Sequence, residues 1–223
     1  MVFVTGDTHG IFDRIVDICI SEDTTVDDVI VILGDVALNF HGEPHDWDLK
    51  EEINEYSITL LCIHGNHEMR PESIPSYEEI EWRGGIVYCE PEFPNLLFAK
   101  DGEIYDLEGH SCIAIGGANS IDKHMRVAGI DWWPDEQPSD FIKDRVEERL
   151  DREKWKVDIV FSHTCPFSYM PVTPFSFGDN STEEWLDTIE NRLSYKRWYC
   201  GHFHSDHSVG DIKFMYHDYM ELW

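Results

Sequence analysis

Residues 58 to 68 read Ile58-Thr59-Leu60-Leu61-Cys62-Ile63-His64-Gly65-Asn66-His67-Glu68. An apolar, β-branched run of strand length stops at a glycine, and side chains that bind metals or move protons follow at once. In open α/β sheets ligands bind just beyond the carboxyl ends of the strands. The segment therefore predicts a buried strand that delivers Asn66 and His67 to a site. Working outward, the same layout recurs at Met1-Val2-Phe3-Val4-Thr5-Gly6-Asp7-Thr8-His9 and at Val29-Ile30-Val31-Ile32-Leu33-Gly34-Asp35. It returns at Val157-Asp158-Ile159-Val160-Phe161-Ser162-His163 and at Trp198-Tyr199-Cys200-Gly201-His202-Phe203-His204. One such ending is a capping aspartate or a core histidine as readily as a ligand. Five of them point to one site.

The 223 residues are 42% hydrophobic, enough to bury a core, so disorder is not the default. No internal repeat, low-complexity segment or linker interrupts them, which predicts one domain over 1–223. No run approaches bilayer length, and Met1-Val2-Phe3-Val4 leads to Asp7 without a basic leader segment. A cytoplasmic address and no membrane partner are the expectation. Asp and Glu number 45 against 17 Lys and Arg, a formal net charge of −28. That excess repels polyphosphate backbones, so no long nucleic acid is expected as a partner. It favours solubility. The six cysteines contain no C-x-x-C pair, and Cys62, Cys112 and Cys200 lie inside apolar runs, so all read as reduced thiols.

Strand, helix and strand alternate through the first third, the βαβ pattern of a parallel sheet. Ile11, Ile15, Ile18 and Cys19 are spaced for one helix face, and residues 48–56 have helical composition. Past Glu68 the prolines at 71, 75, 91 and 94 break the chain into short pieces, with a strand at Gly85-Ile86-Val87-Tyr88. Leu96-Leu97-Phe98-Ala99, the turn Lys100-Asp101-Gly102 and Ile104-Tyr105-Asp106-Leu107 predict a hairpin, since Asp-Gly is a favoured turn pair. Residues 111–115 read as a strand and 122–129 as a short helix. Residues 141–156 read as a charged helix with Ile142, Val146, Leu150 and Trp155 on its core face. The loop over 167–178 is either a lid or a surface Ω-type connection. A helix over 183–193, a strand over 197–200 and an antiparallel hairpin over 208–223 complete the chain.

Mixed Asp, Asn and His donors without thiolates suit divalent ions such as Mn, Fe, Ni or Zn. Asp7, His9, Asp35, Asn66, His163, His202 and His204 are too many for one ion. A structural zinc site is four-coordinate and usually contains cysteine. Seven donors fit two ions sharing a bridging carboxylate. Two metals about 3.5–4 Å apart clamp the attacking and leaving oxygens of a displacement at phosphorus.

In order along the chain, Gly6-Asp7-Thr8-His9-Gly10, Gly34-Asp35, Gly65-Asn66-His67-Glu68, Ser162-His163 and Gly201-His202-Phe203-His204 resemble the five motifs of the calcineurin-like metallophosphoesterases. The resemblance implies an α/β fold of two facing mixed β-sheets flanked by helices, a four-layer sandwich with two divalent metals at the strand ends. It implies that Asp7, His9 and His204 hold one ion, joined by bridging Asp35. Asn66, His163 and His202, again with Asp35, would hold the other. It also implies a metal-bridging hydroxide as nucleophile and His67 as general acid; His67 could instead bind a phosphate oxygen.

One departure matters. In the protein-phosphatase branch an Asp-Arg pair follows the bridging aspartate, the Asp to orient the catalytic histidine and the Arg to grip the phosphate. Leu38-Asn39 stand there in this chain. Dinuclear-metal hydrolysis of a small phosphorylated or nucleotide-like substrate is thus the leading expectation. A protein serine/threonine phosphatase-like phosphomonoesterase and a non-catalytic scaffold are the alternatives. Lys123, His124 and Arg126 could replace the missing cation, or form an ordinary surface cluster.

Overall fold

The computed structural model describes residues 1–171 and 178–222; half of the loop over 167–178, residues 172–177, lies outside them. The first half runs β1 (Val2–Thr5), α1 (Asp13–Glu22), β2 (Val29–Ile32), α2 (His45–Asn54), β3 (Thr59–Cys62), β4 (Glu78–Trp82), β5 (Gly85–Cys89) and β6 (Leu96–Ala99). The second runs β7 (Ile104–Leu107), β8 (His110–Ile115), α3 (Asp140–Arg152), β9 (Ile159–Ser162), α4 (Ser181–Glu190) and β10 (Arg197–Cys200). It closes with β11 (His207–Val209), β12 (Ile212–Phe214) and β13 (Tyr219–Glu221). These strands form two mixed sheets. The seven-stranded one is ordered β13-β1-β2-β3-β6-β5-β4, the six-stranded one β11-β12-β10-β9-β8-β7.

The period-two alternation of strand side chains explains the layering. Val2, Val4, Val29, Val31 and Leu61 of the first sheet meet Ala114, Ile159, Phe161 and Tyr199 of the second in a central core. Their neighbours Phe3, Ile30, Ile32 and Leu60 face the other way, onto Ile15 and Ile18 of α1 and Ile53 of α2. On the far side Ile113, Val160 and Trp198 pack against Val146 of α3 and Leu186 and Ile189 of α4. Helix, sheet, sheet, helix is the expected four-layer sandwich. All six cysteines are free and buried. Among the described residues no helix is long and apolar enough to cross a membrane.

The predicted hairpin at Asp101-Gly102 does not form. Both edges of β6 are taken, by β3 in parallel and β5 in antiparallel register, while β7 pairs with β8 in the other sheet. The turn is a crossing between sheets. Leu97, Ala99, Tyr105 and Leu107 can then all enter the central core, which a hairpin in one sheet would not require. Asp101 is buried at the crossing, where its carboxylate accepts from Gly116 N–H at 2.5 Å and Arg70 Nη1 at 2.7 Å.

Smaller departures have local causes. The helix expected over 122–129 is only a 3₁₀ turn, Lys123–Met125, because Asp131 captures Val127 N–H through its side chain and Arg126 through its carbonyl. α3 stops at Arg152, and Lys154 and Trp155 follow with φ of 57° and 55°, so Trp155 packs on the core from beyond the helix. β4 escaped prediction because Glu78, Glu79 and Glu81 break its apolar pattern; it is an exposed edge strand, where charge deters pairing with other chains. The tail forms the β11–β12 hairpin, but β13 leaves it to pair antiparallel with β1.

Asp158 ties together the starts of three strands. It accepts from Ser111 N–H at 3.0 Å and Ser111 Oγ at 3.1 Å, and meets Lys196 Nζ at 2.7 Å. The Lys196 ammonium, then the Ser111 bonds, hold its pKa down to about 2. A carboxyl depressed in the folded state stabilises above its ordinary value, and that stability is lost as pH falls through the depressed one. Asp158→Asn is expected to cost about 1 kcal/mol near neutral pH, given partial solvent screening. In urea unfolding the gap to wild type should narrow as pH falls from about 4 towards 2. A gap constant with pH would show that the charge contributes nothing.

Candidate metal centre

Loops leaving the carboxyl ends of β1, β2 and β3 meet loops leaving β9 and β10, because the sheets face each other with these ends together. His9 N–H donates to the Asp35 carbonyl at 2.8 Å, joining the first loop to the second. His67 N–H donates to Asp35 Oδ1 at 2.8 Å, joining the third to the second. From the other sheet, His202 N–H donates to Asp7 Oδ1 at 3.0 Å. His9, Asp35, His202 and His204 have φ of 48°, 51°, 63° and 48°. Non-glycine residues rarely enter this left-handed region, at a cost of roughly 1–3 kcal/mol each, and such strain collects at functional sites. Gly65 is needed for closeness instead: a Cβ there would overlap the Asp35 side chain and backbone.

Two groups of donors converge. Asp7, His9 and His204 form one, with His204 Nε2 3.2 Å and His9 Nε2 3.9 Å from Asp7 Oδ2, and the two imidazole nitrogens 3.0 Å apart. Asp7, Asp35 and His163 form the other, with His163 Nε2 3.7 Å from Asp35 Oδ2. Asn66 Oδ1 is 2.8 Å from His163 Nε2, and the His202 ring lies edge-on to the His163 ring at 4.9 Å. Asp7 is common to both groups, whereas Asp35, the carboxylate expected to bridge, belongs to the second alone. His67 sits beside them, its ring 5.8 Å from that of His9. The structure thus gathers all eight side chains that the motifs select.

The chemistry of these groups fits divalent cations. Asp7 is buried, yet its Oδ2 accepts no hydrogen bond among the described residues. Burial opposes its charge, but His204, His163, His9 and the His202 N–H outweigh that and hold its pKa down to about 2. Burial, aided by His163, pushes His202 down to about 3, so its ring is neutral and keeps a lone pair to donate. His163 Nδ1 lies 2.7 Å from the Leu33 carbonyl, which can only accept. In the neutral ring the proton is therefore on Nδ1 and Nε2 presents a lone pair. That lone pair faces Asn66 Oδ1, an acceptor too, since Asn66 Nδ2 is turned to Ser120 Oγ at 2.9 Å. Acceptors aimed at one another repel unless a cation stands among them.

The family model for calcineurin-like phosphoesterases matches residues 1–206, a span holding all five motifs. The chain belongs to this family. Metal-dependent hydrolysis of phosphoesters is the family's general chemistry. One solved crystal structure superposes on 96% of this chain and 88% of its own with a TM-score of 0.52, at 14% sequence identity. At that identity it speaks for the fold alone. No curated protein matches the chain in sequence.

Within the family frame, the departure at positions 38 and 39 has a structural counterpart. Leu38 is packed in the core beneath the helices, and Asn39 Oδ1 accepts from Tyr77 Oη at 3.0 Å. Neither serves the site. Several residues at the centre carried no signal in the sequence. Ser120 orients Asn66 from 54 residues away. Arg14 of α1 donates to the Gly6 and Asp7 carbonyls, bracing the first loop from behind. Glu68, which the third motif includes, is buried, takes Gly65 N–H on Oε1 at 2.8 Å, and is pushed well above its usual pKa by burial and then by Asp35. His204 stacks on Tyr216, centroids 4.5 Å apart. Of the remaining histidines, His64 is buried and neither ring nitrogen has a partner among the described residues.

Proposed function

We propose that the chain hydrolyses small phosphate esters at a two-metal centre. In this reading Asp7, His9, His204 and Asp35 hold one ion, and Asp35, Asn66, His163 and His202 the other. The observation that carries it is the buried Asp7 Oδ2, facing His204 Nε2 at 3.2 Å with no well-aligned hydrogen bond among the described residues, beside the Asn66–His163 pair of facing acceptors. Two divalent ions at such a centre supply the charge that lowers a water's pKa and neutralises phosphoryl oxygens.

The chain's own side chains do the rest. Asp35 Oδ1 fixes the backbone of His67, so the catalytic ring is held at the rim by the same carboxylate that faces His163. A cavity of about 390 Å³ opens over Asp35, Asn66, His67, His202 and His204, room for a phosphoryl group and a small leaving group. His67 donates a proton to the leaving oxygen. Burial, with help from Arg126, His9 and His163 and against Asp35, lowers its pKa. The ring is therefore neutral at pH 7 in the free protein, and a phosphate dianion placed against it favours the charged form. With Leu38 and Asn39 turned inward, and 28 net negative charges on the chain, a small substrate suits the site better than a phosphoprotein or a long nucleic acid.

Stripping with a chelator and restoring Mn tests the reading. At a hundredfold excess over Kd, Mn is expected to add about 2.7 kcal/mol of stability, raising Tm by about 5–10 °C. The loaded protein should hydrolyse aryl phosphate or bis-aryl phosphate, and the chelated protein neither. Loaded protein that turns over neither substrate, or a Tm indifferent to metal, would overturn the proposal.

A further inference from the structure

The candidate metal donors and His67 offer the substrate no permanently positive side chain: they are carboxylates, one amide and imidazoles, and Arg14 is spent on the Gly6 and Asp7 carbonyls behind the first loop. Of the three cations that follow β8, two are unsuited to supply one. Lys123 Nζ is engaged by Asn119 Oδ1 at 2.6 Å, with buried Glu136 at 3.8 Å, and His124 is exposed and borders neither cavity beside His67. Arg126 is different. It lines a second cavity, of about 290 Å³, together with His9, Phe40, His41 and His67. His67 belongs to both cavities, and Asp122 lines the first. Asp122 and Arg126 therefore flank the same histidine.

Asp122 holds the guanidinium in a fork, Nε to Oδ1 at 2.8 Å and Nη2 to Oδ2 at 2.7 Å, and Arg126 Nη1 donates to the Asp131 carbonyl at 3.0 Å. Three of its five N–H groups are engaged. One on Nη1 and one on Nη2 have no partner among the described residues. The Arg126 side chain is four-fifths buried and three of its N–H groups are held, so its orientation is set before any ligand arrives. A planar donor held in place binds a phosphate oxygen with little further loss of side-chain freedom.

We propose that Arg126, positioned by Asp122, is the cation that binds the substrate's phosphoryl oxygens beside His67. The proposal rests on the phosphoesterase reading and names the residue that recognises the phosphate. It assigns to a loop after β8 a task for which positions 38 and 39 have no suitable side chain.

Calorimetric titration of the Mn-loaded full chain with inorganic phosphate tests it, with metal content and far-UV circular dichroism checked for each variant. Arg126→Ala is expected to weaken phosphate binding about 10- to 100-fold. Arg126→Lys keeps the charge but not the fork and should recover only part of that. Asp122→Asn should weaken it about 3- to 10-fold through the loosened guanidinium. Exposed Arg197, at the start of β10, serves as control for net charge, and its alanine variant should stay within about twofold of wild type. On aryl phosphate the Arg126 variants should raise KM more than they lower kcat. Phosphate affinity unchanged in Arg126→Ala, or lowered equally in Arg197→Ala, overturns the proposal, as does a loaded wild type that binds no phosphate. Failure of the phosphoesterase reading looks different: wild type without turnover, whatever Arg126 does to phosphate affinity.

Discussion

His67→Asn is expected to retain bound metal and lose catalysis. The backbone N–H of His67, which holds Asp35 Oδ1 at 2.8 Å, survives the substitution, so the donor set is left as it was. The ring itself makes edge contacts to His9 and to Phe40. What disappears is a proton aimed at the leaving oxygen. Positioned acid catalysis contributes about 10²- to 10⁴-fold, so kcat on an alkyl phosphate should fall by that much. An aryl phosphate with an acidic phenol leaves without needing the proton, and its loss should be much smaller. Metal analysis and kcat across a leaving-group series check both halves. Equal losses on all leaving groups would reassign His67 to binding a phosphate oxygen, and a loss of metal would make it part of the donor scaffold.

Gly34→Ala is expected to destabilise the protein and to disturb the centre at once. Gly34 has φ of +103°, and a Cβ on it would overlap the His163 imidazole, whose Nδ1 is bonded to the neighbouring Leu33 carbonyl. Backbone strain and overpacking act together, for a cost of about 3 kcal/mol and a fall in Tm of about 6–12 °C. Metal affinity should fall too, because the ring that must give way is His163. Gly42 and Gly84 supply the comparison: they have φ of +75° and +85°, with nothing within 4 Å of the added carbon. Their alanine variants should report the backbone term alone, about 1 kcal/mol, with metal affinity unchanged. Equal effects at Gly34 and Gly84, by thermal unfolding and Mn titration, would dismiss the contact with His163.

Why the centre was readable and other parts were not follows from how each is encoded. The motif side chains lie within a few residues of strands whose apolar runs are continuous, since those strands are covered on both faces. The turn at Asp101-Gly102 has the same local chemistry whether it closes a hairpin or crosses between sheets. Only the occupancy of both edges of β6 separates the two. Asp122 and Ser120 gave no pattern to find, and Arg126 was legible only as one of three candidate cations, because their roles depend on groups far along the chain: Ser120 on Asn66, and Arg126 on a cavity shared with His9 and His67.

From the sequence alone came the candidate donors, their placement at strand ends and the parallel arrangement of the first three strands, because these are written in nearest-neighbour polarity and spacing. Tertiary structure alone decided that the ends of β1, β2 and β3 face those of β9 and β10 across one apolar core, setting Asp7 against His204 and Asn66 against His163. Burial drives the two sheets together wherever apolar faces can meet, and it acts between residues that have no neighbourhood in common until the chain has folded.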